Sequence, residues 1–324
     1  MRSFLKIFSQ FLGIMAISVS CTKNIDIELP PDAAQVIVEG NIENGRPPFV
    51  LLTRSFEVFS PLNVNDLSGY FIHDAQIRVS SAQDTVQLVE FCLQDLPLSP
   101  EEQSTLLESF GFSIDSGAVL PDVCVYTVAD IFSFFTSGSC SFMGEENRSY
   151  DLRILSEGKT FSAQTRIPYA VPMDSLSWRP HPDPLRTDLV SVYVNLAFPS
   201  IPGNFIRYQT QRNQEPFYFP RTQSVYDDKL VAGTYVSLPV ERGQDPNERI
   251  DFDNFSYFWK GDTVSVKWMN IDARTFDFFY TLENDGGGSP FASYLRVKSN
   301  IQGEGSLGIW GGYAVRYYTL IVPE

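Results

Sequence analysis

From Val36 onward the chain places its apolar residues at every second position in short runs. Such a period puts one apolar face on an extended strand and does not fit a helix. Val36 and Val38 open the series, Ile77 and Val79 continue it, and Val86 and Leu88 follow. Tyr150, Leu152 and Ile154 alternate with Asp151 and Arg153, and Phe161, Ala163, Thr165 and Ile167 form the next run. Phe49 to Thr53 is nearly continuous, as expected of a strand covered on both faces. Turn chemistry separates the runs at Asn44-Gly45, Ser80 to Asp84, and Glu157-Gly158. Short strands joined by such turns predict a mainly β fold, with a β-sandwich of immunoglobulin or transthyretin type over residues 35–168.

Residues 92–145 interrupt this rhythm. Ser99-Pro100-Glu101-Glu102 has the N-cap, Pro and first-turn acids of a short helix, with Leu106, Leu107 and Phe110 as its apolar side. The remainder, punctuated by Ser and Gly and rich in Phe, reads as an insertion on an edge or end of the sandwich. A boundary falls between Ile167 and Pro172, and a second β-rich domain is expected over 169–324. Its runs are Val192 to Phe198, Phe205 to Tyr208, Phe217 to Phe219, Thr234 to Leu238, Phe255 to Trp259, Val264 to Trp268, and Ile309 to Val322. Phe276, Phe279 and Tyr280 sit at i, i+3 and i+4 behind Asp272, which predicts a capped helix over 272–282. The two halves would thus be sandwich-like domains with a short helix in each. Gly303, Gly305, Gly308, Gly311 and Gly312 lie among large apolar residues, where glycine permits positive φ, bulges and close backbone approach. Gly303 to Gly308 reads as a tight structural turn, not as a phosphate loop, which would need a Lys and a following helix.

Ahead of the strands stands an export signal. Arg2 and Lys6 precede an apolar run from Phe11 to Val19, and Ser18-Val19-Ser20 leads into Cys21. The run is too short for a permanent span, and small residues before a Cys suit lipoprotein processing. Residues 1–20 would be removed and Cys21 would carry the lipid. Position 18 is Ser, where such boxes more often have Leu. Residues 21–34 read as a polar tether stiffened by Pro30-Pro31.

With 24 basic and 39 acidic residues the formal charge is −15, and loss of the leader removes two more cations. An acidic body of this kind does not suit nucleic acid or anionic head groups, so membrane attachment would rest on the lipid alone. Cys92, Cys124 and Cys140 allow one disulfide at most, with the pairing open. No C-x-x-C pair supports a zinc or thioredoxin-type centre, and no cofactor is implied.

Catalytic signals are sparse. His73 and His181 are the two histidines, and no G-x-S-x-G elbow accompanies the serines. His73-Asp74 reads as a turn, and His181 lies in a Pro-rich linker. Asp251, Asp253 and Asn254 form the best local oxygen cluster for a metal, with Asp227-Asp228 second, although each supplies only part of a calcium shell. Phe217-Tyr218-Phe219 and Tyr257-Phe258-Trp259 put rings on both faces of a strand, one of which can stay outside for sugars or a partner.

Several segments in order carry a resemblance. They are Val36-Ile37-Val38-Glu39-Gly40, Val171-Pro172-Met173-Asp174-Ser175-Leu176, Tyr257 through Val264, Asn270-Ile271-Asp272, Ser289-Pro290-Phe291, Val297 through Ile301, and Gly308 through Tyr313. Together they resemble a family of Bacteroidota lipoproteins known as a domain of unknown function, type 4249. This chain departs from the family in having Ala292 after Phe291, and in its long Cys-bearing insertion. The resemblance implies a lipid-anchored, surface-exposed outer-membrane protein beside a SusC-like TonB-dependent transporter. It implies an accessory role in nutrient uptake and no catalytic residues. The alternative is a surface adhesion or structural lipoprotein, with a surface hydrolase ranked below both.

Overall fold

The computed structural model describes residues 35–55, 69–96, 99, 101–103, 123–246, 248–249, 251–284 and 296–324. The export segment with Cys21, the tether, the apolar side expected of the Ser99 helix and the Pro290-Phe291 motif lie outside them. Ser99 does cap: its Oγ accepts from the Glu102 N–H while Glu102 Oε2 accepts from the Ser99 N–H, a reciprocal pair that satisfies two otherwise free donors.

The fold is mainly β, as the alternation predicts. Its strands are β1 (Val36–Glu43), β2 (Phe49–Arg54), β3 (Gln76–Ser80), β4 (Thr85–Cys92), β5 (Cys124–Thr127), β6 (Arg148–Ser156) and β7 (Lys159–Ile167). They continue as β8 (Ser175–Pro180), β9 (Leu189–Ala197), β10 (Phe205–Arg212), β11 (Val225–Asp227), β12 (Tyr235–Val240), β13 (Phe258–Trp259), β14 (Thr263–Ile271) and β15 (Ser306–Ile321). Helix α1 spans Ile131–Ser137 and α2 spans Ala273–Glu283. One sheet has the order β11-β10-β14-β15-β1-β2-β5-β4-β3-β6-β7, and a smaller one pairs β9 with β12, β13 and β8.

The large sheet rolls over without closing into a barrel. Its far end returns to β15: Ser162 and Gln302 exchange backbone hydrogen bonds, and a Cβ on Gly312 would lie 2.6 Å from the Arg166 carbonyl oxygen. Only glycine allows sheet layers to approach so closely. The roll encloses a first core of Val38, Leu52, Ile77, Leu152, Ile154, Phe161 and Trp310, among others. Leu51 points the other way, into a small cluster with Phe71 and Leu93, so β2 is covered on both faces as its continuous run implies. A second core forms where β9 faces β10 and β14, with Val192, Leu196, Tyr208, Val266 and Trp268. Helix α2 covers the opposite face through Phe276 and Phe279.

The cores change over between Ala170 and Val171. The halves are nevertheless joined by hydrogen-bonded sheet, because β15 runs parallel to β1 and antiparallel to β14. Residues 34–324 form one compact unit. Trp310 and Ala314 on one face of β15 enter the first core, and Tyr318 and Leu320, further along the same face, pack on the second.

Four local expectations are corrected. Within 92–145, Cys124–Thr127 does not sit on an edge, since this strand β5 pairs with both β2 and β4 inside the sheet. Ser175–Pro180, for which no strand was expected, is strand β8, because β9 offers it a free edge. Phe217 to Phe219 makes only one bridge, Tyr218 to Thr210. Phe255 to Trp259 shrinks to the two residues of β13, since Asn254 and Tyr257 close a backbone turn.

Candidate functional site

A cleft of about 590 Å³ opens where three turns meet at one end of the first core. Asn44 and Gly45 follow β1, Ser81 and Asp84 belong to the β3–β4 turn, and residues 140–148 lead from α1 into β6. Gly45 has φ 72°, the left-handed region that the Asn-Gly pair anticipates. The Gly45 N–H donates to the Gly144 carbonyl at 2.8 Å, and the Gly144 N–H donates to the Arg46 carbonyl at 2.9 Å. Asn44 Oδ1 accepts from the Val315 N–H at 2.6 Å, which ties the cleft floor to β15.

Two of the three carboxylates of the wall are already paired. Glu145 lies 2.8 Å from Arg148, and Glu146 pairs with Arg316 while accepting from the Ala170 N–H at 3.2 Å. Beside the cleft, Asp130 takes the Oγ–H and N–H of Ser141, both at 2.7 Å, and these bonds hold its carboxyl below the usual carboxylate range. Burial pushes the Cys140 thiol up, and its Sγ donates to the Phe142 carbonyl at 3.4 Å. A thiol so placed stays protonated and is a poor nucleophile. Burial also raises the Tyr150 hydroxyl, which accepts from the Glu145 N–H at 2.7 Å. The cleft therefore offers hydroxyls, backbone groups and paired charges, a surface for holding a polar ligand.

The histidines lie elsewhere. His73 Nδ1 is 2.6 Å from Glu90 Oε1, and Asp74 turns the chain at φ 57° just before β3, as read from the sequence. His181 Nδ1 accepts from the Asp183 N–H at 3.0 Å, and its ring rests 4.3 Å from that of Tyr257. Neither is set against a serine hydroxyl in these contacts.

The disulfide joins Cys92 to Cys124 across β4 and β5 and leaves Cys140 as a thiol. The weak metal candidates do not assemble as ligands. Asp251 Oδ1 accepts from the Asp253 N–H at 3.1 Å and its Oδ2 from Asn254 Nδ2 at 2.7 Å, while Asn254 Oδ1 receives the Arg186 guanidinium. A cation already occupies that oxygen. Asp228 is buried and accepts from the N–H groups of Gly203 and Asn204, and Asp227 pairs with Lys229 at 2.9 Å. The aromatic runs are also engaged: Arg207 lies 3.7 Å over Phe219, and Arg212 lies 4.4 Å over Trp259. The rings that do face solvent include Phe132 and Phe135 on α1. Sequence reasoning flagged Asn44-Gly45 and the Ser80–Asp84 turn but not Glu145, Glu146 or Ser141, for which no local pattern exists.

No family model and no curated protein matches this chain.

Proposed function

We propose that this chain is an outer-membrane lipoprotein, tethered through Cys21, that acts as a non-enzymatic accessory or ligand-binding partner of a SusC-like TonB-dependent transporter. The observation that carries this reading is the export segment ending at Cys21, placed just ahead of an acidic β body. The thirteen residues 22–34 reach about 45 Å when extended. Such a leash keeps the body near the membrane surface and raises its local concentration at a pore. The cleft, with its hydroxyls and paired charges, suits transient retention of a polar nutrient. Helix α1, within the segment that departs from the family, offers Phe132 and Phe135 to a protein partner.

The test is affinity capture of the protein from detergent-solubilised outer membranes. A TonB-dependent barrel should co-elute, and its yield should fall at least about tenfold for a Phe132→Ser/Phe135→Ser double variant that still incorporates palmitate. An eluate without any such barrel would overturn the transport role. A deletion strain with normal uptake but altered surface attachment would instead fit adhesion.

A further inference from the structure

The only group of potential metal ligands among the described residues surrounds the disulfide. His73, Glu90, Cys92 and Cys124 each place a donor atom within 4.8 Å of the other three. The arrangement follows from strand geometry. Glu90 and Cys92 are two apart on β4, so their side chains leave the same face. Cys124 is the direct cross-strand partner of Cys92, and the segment before β3 brings in His73. Glu90 Oε1 lies 2.6 Å from His73 Nδ1 and 3.8 Å from Cys92 Sγ, while Oε2 accepts from the Asp74 N–H at 3.2 Å. One carboxylate oxygen thus faces the cluster and the other is held from behind, as outer partners hold metal ligands.

We propose that reduction of the Cys92–Cys124 disulfide converts this cluster into a four-coordinate site for a zinc-class divalent cation, with His73 Nδ1, Glu90 Oε1 and the two sulfurs as ligands. While the disulfide stands, its sulfurs carry no charge and bind no zinc. A dithiol reductant breaks the Cys92–Cys124 bond and forms its own disulfide, and two protons pass to the cysteine sulfurs. The cation then displaces both thiol protons to solvent, giving two thiolates, one carboxylate and a neutral imidazole around it. Zinc bound by sulfur at about 2.3 Å and by nitrogen or oxygen at about 2.0 Å needs its ligands roughly 3.2–3.8 Å apart. The cluster meets this by small side-chain rotations once the sulfurs part. The same four groups therefore hold either a covalent cross-link or a cation, and the redox state selects between them.

Cobalt(II) reports on such a site through its thiolate charge-transfer absorption in the near ultraviolet. The full chain, reduced with a dithiol and freed of reductant under anaerobic conditions, should bind one cobalt with that band, and zinc should displace it. The oxidised chain should show no band. His73→Ala and Glu90→Gln retain the cysteines, and each should weaken cobalt binding at least about tenfold. Cys124→Ser should abolish the band and Cys140→Ser should leave it intact. Circular dichroism identifies any variant that fails to fold, and the His73 and Glu90 variants then carry the test. Absence of the band in the reduced parent, or equal affinity in the parent and the His73→Ala and Glu90→Gln chains, overturns the proposal.

Discussion

Tyr313 and Arg207 show how one contact ties charge to stability. Arg207 lies between the rings of Phe219 and Phe279, at 3.7 and 3.3 Å, with Glu283 4.0 Å away. Burial pushes its guanidinium down to about 10, against the pull of Tyr313 and Glu283. Burial pushes the Tyr313 hydroxyl up to about 12, against the pull of Arg207. An unfolded tyrosine loses its proton near pH ~10. Between there and about 12 the folded state holds a proton that the unfolded state has released, so stability falls as pH rises. Arg207 has the opposite sign, because the unfolded chain keeps a proton that the folded one gives up. Burial raises Tyr126, Tyr150, Tyr208 and Tyr226 as well, so the tyrosines dominate. The melting temperature should therefore decline steadily above about pH 10. Tyr313→Phe removes one titrating group and should make that decline shallower by roughly 1–3 kcal/mol across the window. Thermal melts of both proteins across alkaline pH decide it, and an equal or steeper slope in the variant would sink the assignment.

At the scale of elements, Asp272 does two jobs. Its Oδ1 accepts from the Thr275 N–H at 2.8 Å and caps α2. Its Oδ2 accepts from Thr165 Oγ1 at 3.0 Å and the Arg166 N–H at 2.9 Å, so the same side chain fastens the helix to β7. Asp272→Ala should cost about 2–3 kcal/mol, from a lost cap plus stranded donors. Asp272→Asn keeps the cap through its single oxygen but turns an NH2 toward the Arg166 N–H, so it should recover less than half of it. Urea midpoints measure both, and an Ala variant within about 0.5 kcal/mol of the parent would remove Asp272 from this role. The cap of α2 was legible in the sequence because capping is local. Strands β6 and β7 were legible because each shows one face to a single core, so burial follows the alternation residue by residue. Strand β5 was not: it has four residues, and its partners Val50 and Cys92 lie far away in the chain. The cleft was illegible for the same reason. Its Asn-Gly and Ser-to-Asp turns read plainly, but their meeting depends on how the sheet rolls, and no residue encodes that by itself.

For the whole molecule the question is whether two cores make two folding units. Side-chain links cross between them besides the shared strand β15. Lys267 Nζ lies 2.6 Å from Glu43 Oε1, and Asp272 holds Thr165 and Arg166. Chains of this length often unfold in steps. Here, unfolding the second core alone would strip β14 from β15 and leave the long strand half paired, with its apolar face at Tyr318 and Leu320 in water. Unfolding the first core alone would strip β1 from the other half of the same strand. Each core thus holds the strand that the other needs, which favours a single cooperative transition. Ile154 is fully buried in the first core and Leu196 in the second. Ile154→Ala and Leu196→Ala should each cost about 2–5 kcal/mol. Both should lower one common urea midpoint seen alike by tryptophan fluorescence and far-ultraviolet circular dichroism. If Ile154→Ala shifts one of two resolved transitions and leaves the other in place, the cores are independent and β15 is only a bridge between them.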